Sequence, residues 1–189
     1  MKIYLVNQKH KFKKHLDFLK TQKVMPYEKQ KLRQKTTTIQ IDTTKSFDSL
    51  NLDFLFNYQI FPENIMAFKT QWEDENRKMK VGDTILQQVF IPPTKTVSQK
   101  LIFGVRISEI IDEPFRKGFS YETLEGHVEK GVSTFTLEKL SEQIIFRINT
   151  FSTGGNFFTR LLGPVFSVPY QAFCTKRALT NVKRQIEIL

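Results

Sequence analysis

Apolar and polar residues alternate through much of the second half of the chain, with the period of two that is typical of β-strands. Five such segments follow one another, divided by short polar connections such as EGHVEKG (125–131) and SEQ (141–143). Consecutive strands with short connections predict an antiparallel meander, and Gly104 is predicted to form a β-bulge within it. The five segments are TILQQVFIPP (84–93), QKLIFGVRISEIID (99–112), GFSYETL (118–124), VSTFTLEKL (132–140) and IIFRINTFS (144–152).

Helical spacing of apolar residues marks three other regions. Residues 8–35 are predicted to be helical, with Pro26 dividing two helices, and residues 62–79 to form a helix that starts at Pro62. Two prolines, at 164 and 169, predict a break or kink before a final amphipathic helix that reaches about residue 188. Its apolar stripe recurs every four residues, at Cys174, Ala178, Val182 and Ile186. Residues 1–6 predict a short strand, and residues 36–46 a short strand or an extended linker.

This order of elements predicts an α+β fold. We expect a curved antiparallel sheet of about five to seven strands, packed on a long C-terminal helix and preceded by N-terminal helices. Residues 1–50 are interpreted as a basic helical extension, and residues 51–189 as a single α+β core domain. A curved sheet that grips a helix can enclose an apolar cavity, and the 18 phenylalanines could line such a cavity or fill a core.

Charge is concentrated at the start of the chain. Residues 1–35 contain eleven Lys and Arg and two acidic residues, so they carry +9 of the total net charge of +10. Such a segment could contact an anionic membrane surface, or it could simply be a solvated, lysine-rich helical face. Nucleic acid is a less favoured partner, because this segment has ten lysines and a single arginine, and base or phosphate recognition prefers arginine.

Cysteine usage and hydropathy bear on the compartment. The single cysteine, Cys174, excludes an internal disulfide and is interpreted as a buried small residue rather than a nucleophile. The N-terminal residues lack the pattern of a signal peptide, and no stretch reaches the roughly 18 apolar residues of a membrane span. We therefore expect a cytoplasmic protein.

The segment KGFSYETLEGHVEKG (117–131) carries a recognisable motif. It resembles the family known as domain of unknown function 1990, whose pattern is roughly GF-x-YGTL-x-GH-x-x-x-GE-x-x-F. The turn VGDT (81–84) and the stretch FSTGGNFFTRLLGPVFSVPYQ (151–171) resemble further parts of the family pattern, so the resemblance covers roughly residues 57–183. The motif is matched at Gly118, Phe119, Tyr121, Thr123, Leu124, Gly126, His127, Gly131 and Phe135.

The resemblance has departures and limits. Glu122 stands where many members have glycine, and Val132 and Ser133 stand where many have an acidic residue. No family pattern is placed on residues 1–35. The resemblance implies a helix-grip architecture, similar to lipid-transfer and polyketide-cyclase-like domains, and it brings no catalytic residue with it.

Candidate catalytic residues cluster in the motif. His127 lies between Glu125 and Glu129, and a nearby carboxylate would raise the pKa of the imidazole and let it act as a general base. The alternative is that His127 caps the turn through a hydrogen bond to the backbone. Tyr121 could orient a ligand carbonyl, or could be a core aromatic residue with a polar tip.

Further ligand-binding candidates lie outside the motif. Gln87 is a mid-strand amide that needs a partner or a ligand if it faces inward. Arg106 could bind a carboxylate or lie on the outer face of the sheet. Trp72 could contact a ligand, although a core position is favoured. No metal site and no cofactor are predicted, because neither a metal-ligand grouping nor a glycine-rich phosphate loop is present.

Three functional hypotheses follow. The leading one is a protein that binds a small apolar or amphipathic ligand in a pocket between the sheet and the C-terminal helix. The second is an enzyme of cyclase or hydrolase type that uses His127 with a neighbouring glutamate. The third is an interaction module that uses the basic N-terminal segment on an anionic partner.

Overall fold

An eight-stranded antiparallel sheet organises the chain in the computed structural model, which describes residues 2–94, 98–153 and 164–187, the last range without the side chains of 164–169 and 171. Seven strands form the path β2-β8-β7-β6-β5-β4-β3, and β1 pairs with β5 beside this path. The strands are β1 (Lys2–Tyr4), β2 (Arg33–Ile41), β3 (Met66–Thr70), β4 (Thr84–Ile91), β5 (Gln99–Glu113), β6 (Arg116–Thr123), β7 (Gly131–Leu140) and β8 (Gln143–Ser152).

The predicted meander is confirmed. Strands β4 to β8 pair in chain order, each antiparallel to the next. The bulge, however, lies between Ile107 and Glu109 rather than at Gly104, where the pairing with β4 is regular. Gly104 has another role, because a Cβ at this position would lie 2.9 Å from Leu19 Cδ2. The missing side chain therefore makes room for the N-terminal helix.

Helices and turns connect the strands or follow them in the described chain. They are α1 (Phe12–Lys20), α2 (Asp53–Phe56), α3 (Gln71–Asp74) and α4 (Pro164–Glu187), with 3-10 turns at Lys9–Lys11, Lys29–Lys31 and Phe47–Ser49. The helical backbone of α4 continues across Pro169, so the predicted break is absent. None of the described helices combines the length and hydropathy that crossing a bilayer would require.

Two predicted helices are wrong in part. Residues 8–35 contain one regular helix, α1, followed by an extended segment and the start of β2. Residues 62–79 contain β3 and the single turn α3 instead of one long helix. In β3, Met66 and Thr70 are buried while the backbone pairs with β4, so pairing with a neighbouring strand prevails over the helical spacing of the apolar residues.

The α+β class, the curved antiparallel sheet and the C-terminal helix are confirmed, although the sheet has more strands than the five to seven predicted. The additional edge strand β2 belongs to residues 1–50 and pairs with β8 along nine residues. The division of the chain at residue 50 stays a prediction.

The two faces of the sheet are covered by different helices. The inner face packs against α4, whose Ala178, Val182 and Ile186 are buried in the main core as the predicted stripe requires. The outer face packs against α1 at the β3-β4-β5 end, where Phe12, Leu16 and Leu19 are buried. Along each strand the side chains alternate between these two environments.

Candidate functional site

Four polar side chains meet on the inner face of the sheet, and we call this group the tyrosine cluster: Tyr58, Gln87, Tyr121 and Ser133. The amide of Gln87 on β4 donates to Tyr58 Oη over 2.5 Å. The hydroxyl of Tyr121 on β6 lies near the side chains of Tyr58, Gln87 and Ser133, close enough for all three to influence its pKa. Three strands and the segment after α2 therefore bring their polar groups to one place.

Strand register extends this group into a polar row. Tyr121 pairs directly with Ser133, Ser133 with Thr150, and Thr150 with Lys35 on the edge strand β2. Directly paired residues share one face of a sheet. The Ser133 and Thr150 hydroxyls are 3.0 Å apart. The inner face thus changes from buried polar groups at Tyr58 to an exposed lysine at the sheet edge.

Aromatic rings surround the tyrosine cluster. The ring of Tyr58 meets Phe68 edge-on at 5.2 Å between centroids, and the ring of Tyr121 lies 5.3 Å from that of Phe135. Phe119 stacks on Phe135, also at 5.3 Å. Tyr58 is fully buried, whereas Tyr121 is only partly buried. Tyr121 and Ser133 are therefore the members of the cluster that are not fully buried.

The two tyrosines keep their protons at neutral pH. Burial raises the pKa of Tyr58 well above its ordinary value, and burial also raises the pKa of Tyr121, with a smaller contribution from the Glu129 carboxylate. Neutral phenols both donate and accept hydrogen bonds. The cluster can consequently hold a carbonyl or hydroxyl group, and it offers no ionised base.

Tyr58 was not among the residues that the sequence singled out. Its backbone has φ of +60°, an uncommon conformation for a residue with a bulky side chain. This conformation aims the ring into the core after the short helix α2 ends. The hydropathy pattern does not predict this backbone conformation. The sequence shows only that a tyrosine lies within the largely apolar segment 52–61.

His127 caps the turn between β6 and β7. Its Nδ1 lies 2.9 Å from the carbonyl oxygen and 3.0 Å from the amide nitrogen of Glu129, so the backbone occupies this nitrogen in either tautomer. The ring packs against Phe103 at 4.3 Å. Burial lowers the pKa of His127 to about 3, so the prediction that a neighbouring carboxylate raises this pKa is wrong.

The two flanking glutamates do not form a pair with the imidazole. Glu125 is exposed, and its backbone amide donates to the carbonyl of Lys23. The contact between Glu129 and the imidazole is made by backbone atoms. A neutral imidazole with such a low pKa is a weak base, so this arrangement lends no support to general-base catalysis by His127.

Arg106 and Trp72 lie away from the tyrosine cluster. The guanidinium of Arg106 is on the outer face, where Nη2 donates to the carbonyls of Leu19 and Lys20 at the end of α1 and to Thr84 Oγ1. Trp72 is buried in the main core, and its indole nitrogen has no hydrogen-bond partner in the described part of the chain. Of the predicted ligand-binding residues, the structure brings Tyr121 and Gln87 together.

Comparison with known proteins assigns the chain to a family. A family model described as "Domain of unknown function (DUF1990)" matches residues 20–181. The chain belongs to this family. The predicted resemblance is therefore confirmed, and the match extends further toward the N-terminus than the motif residues indicated.

One curated protein and two solved structures are similar to this DUF1990 protein. A "UPF0548 protein" from Deinococcus radiodurans is 38% identical over 61 residues, which is 32% of this chain and 31% of that relative. The crystal structure of hypothetical protein jhp0584 from Helicobacter pylori is similar with a TM-score of 0.57, at 10% identity, over 88% of this chain and 98% of that one. This likeness shows a shared fold. A solution structure from Arthrobacter aurescens has a TM-score of 0.48 at 9% identity, over 87% of this chain and 93% of that one.

The DUF1990 motif occupies β6, the following turn and the start of β7. Glu122, which departs from the family pattern, points to the outer face and accepts a 2.6 Å hydrogen bond from the hydroxyl of Tyr27. Burial and this carboxylate raise the pKa of Tyr27. Glu122, the residue that departs from the family pattern, therefore holds the segment after α1 against the outer face of the sheet through this hydrogen bond.

The outer face also carries a polar groove of about 530 Å³. Its carboxylates already accept hydrogen bonds from the protein, since Ser120 donates to Glu109 over 2.9 Å and Tyr27 donates to Glu122 over 2.6 Å. Within residues 2–94, 98–153 and 164–187, no three His, Cys, Asp or Glu side chains are grouped so as to hold a metal ion. Burial raises the pKa of Cys174 to about 11, which keeps this thiol protonated at neutral pH.

Proposed function

We propose that this DUF1990 protein binds a small apolar or amphipathic molecule against the inner face of the sheet, beneath α4. The polar end of the ligand is held by the tyrosine cluster. The observation that carries the proposal is the convergence of neutral donors and acceptors, with Gln87 hydrogen-bonded to Tyr58, within a wall of aromatic rings where Tyr121 is incompletely buried. Ligand sites typically combine an apolar wall with a few convergent polar groups.

The polar row supports the orientation of the ligand. The row runs from Tyr121 through Ser133 and Thr150 to the exposed Lys35 at the sheet edge. Polar side chains that only stabilised the core would not need to form a continuous row that reaches solvent. An amphipathic molecule would place its polar group along this row and its apolar part against the phenylalanines. The ligand therefore belongs to the class of small amphiphiles with a hydroxyl or carbonyl group.

Native mass spectrometry of gently purified protein tests the proposal directly. We expect a species whose mass exceeds that of the chain and whose excess mass is released on denaturation. Titration calorimetry with decan-1-ol and decanoate as probes then measures affinity for two amphiphiles that differ only in the polar group. Protein that carries no additional mass and binds neither probe would contradict the proposal.

Removal of one phenol tests the role of the tyrosine cluster. Tyr121→Phe deletes a hydrogen-bonding group while keeping the ring, so we expect affinity for the bound probe to fall roughly tenfold, the effect of about one lost hydrogen bond. Tyr27→Phe is the matched control, because it deletes a hydroxyl that is bonded to Glu122 on the opposite face. Equal affinities of the two variants would exclude the cluster from binding.

A further inference from the structure

Exposed apolar side chains gather at the N-terminal end of the described chain. Eight large hydrophobic residues are exposed in the described structure, and four of them lie within the first 18 residues. Leu5 is 79% exposed and Val6 65% exposed, in the bend that follows β1, and Phe18 on α1 is 52% exposed. Single exposed apolar residues are ordinary, but a group of them marks an interaction surface.

β1 and α1 lie side by side and bring these residues to one surface. Lys2 Nζ is 5.1 Å from the centroid of the Phe18 ring, and the rings of Tyr4 and His15 meet edge-on at 5.6 Å. Residues near the start of β1 thus contact the end of α1, so the bend at Leu5 and Val6 lies toward the start of α1. We call this surface the N-terminal tip: Lys2, Leu5, Val6, Lys11, Lys14 and Phe18.

The two sides of α1 differ in charge. On the side away from the tip, Lys13 pairs with Asp74 and Lys20 pairs with Glu75, at 2.9 and 3.0 Å. On the tip side, Lys11, Lys14 and Phe18 follow the three- and four-residue spacing of one helix surface. In the described part of the chain, Lys2, Lys11 and Lys14 make no ion pair, and all three are close enough to His15 to lower its pKa. The tip is therefore both cationic and apolar.

We propose that the N-terminal tip docks on an anionic lipid bilayer, with Leu5, Val6 and Phe18 entering the interfacial region and the lysines contacting lipid phosphates. Phosphate groups alone would account for the lysines but would gain nothing from the exposed leucine and valine. A bilayer offers both an anionic surface and an apolar layer beneath it. This docking surface is separate from the inner-face site and does not depend on it.

Vesicle flotation with the full chain tests the proposal. We expect binding to vesicles of phosphatidylcholine mixed with phosphatidylglycerol, and little binding to phosphatidylcholine alone. Leu5→Ser combined with Val6→Ser should weaken binding roughly tenfold, because burial of these side chains is lost. Lys11→Gln combined with Lys14→Gln should weaken it roughly thirtyfold, since each lysine near an anionic surface strengthens binding about fivefold.

Matched controls separate the tip from general surface effects. Val81→Ser with Leu140→Ser removes two apolar residues that are 61% and 50% exposed elsewhere, and Lys78→Gln with Lys80→Gln removes two exposed lysines. Neither pair should change vesicle binding. The Leu5 and Val6 substitutions keep the backbone carbonyls that accept from Lys100 and Gln8, so thermal melting should be unchanged.

Three results would overturn the proposal. The first is the absence of binding to anionic vesicles. The second is vesicle binding that is lost with the lysines but unaffected by Leu5→Ser and Val6→Ser, since a purely electrostatic surface does not require a bilayer. The third is binding to a short DNA duplex that is as strong as vesicle binding and depends on the same lysines, which would identify nucleic acid as the partner.

Discussion

Two glycines of the family motif, Gly118 and Gly131, are required by backbone packing rather than by chemistry. A Cβ on Gly118 would lie 2.0 Å from the carbonyl oxygen of Phe135, and a Cβ on Gly131 would lie 1.9 Å from that of Phe151. Both distances are far below van der Waals contact. At these two positions a side chain would collide with the backbone of the neighbouring strand, β7 for Gly118 and β8 for Gly131. The same motif also contains Tyr121 of the tyrosine cluster.

Gly131→Ala should destabilise the protein by about 2–3 kcal/mol, because the backbone of β7 or β8 must shift to relieve the clash. Gly82→Ala is the control. Gly82 has φ of +91° but nothing within 4 Å of the position that a Cβ would occupy, so alanine there brings backbone strain of about 1 kcal/mol without a clash. Urea unfolding of both variants measures the difference. Equal losses would show that the strands move apart at little cost.

At the same scale, the sequence identified only part of the tyrosine cluster. Alternation along β4 and β6 predicted that Gln87 or its neighbour faces inward, and it raised the same question for Tyr121. Tyr58 and Ser133 were missed. Tyr58 reaches the cluster through a positive φ, and Ser133 through its pairing with Tyr121, and neither feature is visible in a hydropathy pattern.

Element by element, the meander was predictable because each strand from β4 to β8 carries its own alternation and its own turn. The strand β3 was not predictable, since the spacing of Ile65, Met66 and Phe68 fits a helix as well as a strand. Its conformation is decided by pairing with β4, a contact that local sequence does not encode. β2 was similarly obscured, because its first residues are charged or polar and it gains its place through β8.

The link between α1 and the sheet depends on Arg106. Its guanidinium donates to two carbonyls at the C-terminal end of α1, where a positive charge is favourable and the carbonyls lack helical partners. Arg106→Gln should therefore lower the free energy of unfolding by about 1–2 kcal/mol and speed hydrogen exchange in α1. Arg33→Gln, at an exposed position of β2, should change neither quantity. If the two variants behave alike, α1 is held by apolar packing alone.

On the scale of the whole molecule, one sheet serves two surfaces. The inner face and α4 enclose the aromatic core and the tyrosine cluster, whereas the outer face holds α1 and, through β1, the N-terminal tip. The two proposed interactions therefore use different elements. Variants in the tip should leave the inner-face site intact, and Tyr121→Phe should leave vesicle binding intact.

The same two-layer packing buries His15 and partly buries His127, and this makes the stability of the molecule depend on pH. Burial lowers the pKa of His127 to about 3, and burial together with nearby lysines lowers the pKa of His15, both from an ordinary value of 6.5. As the pH falls below 6.5, the unfolded chain therefore binds protons that the folded chain does not bind. The full stability is present above that pH and decreases below it.

Between pH 6.5 and about pH 5 we expect the free energy of unfolding to fall by about 2 kcal/mol. Urea unfolding at several pH values measures this slope. His127→Gln and His15→Gln should each flatten it, and the double variant should flatten it further, whereas His10→Gln, at an exposed position, should not. The lowered pKa of Glu75, about 2, adds a loss of the same sign only at more acidic pH, because an unfolded glutamate near its ordinary value of 4.5 is still ionised in the tested range. If the double variant keeps the wild-type dependence of the free energy of unfolding on pH, the two histidines do not cause it. Both imidazoles would then accept protons in the folded state, which requires that water reaches them.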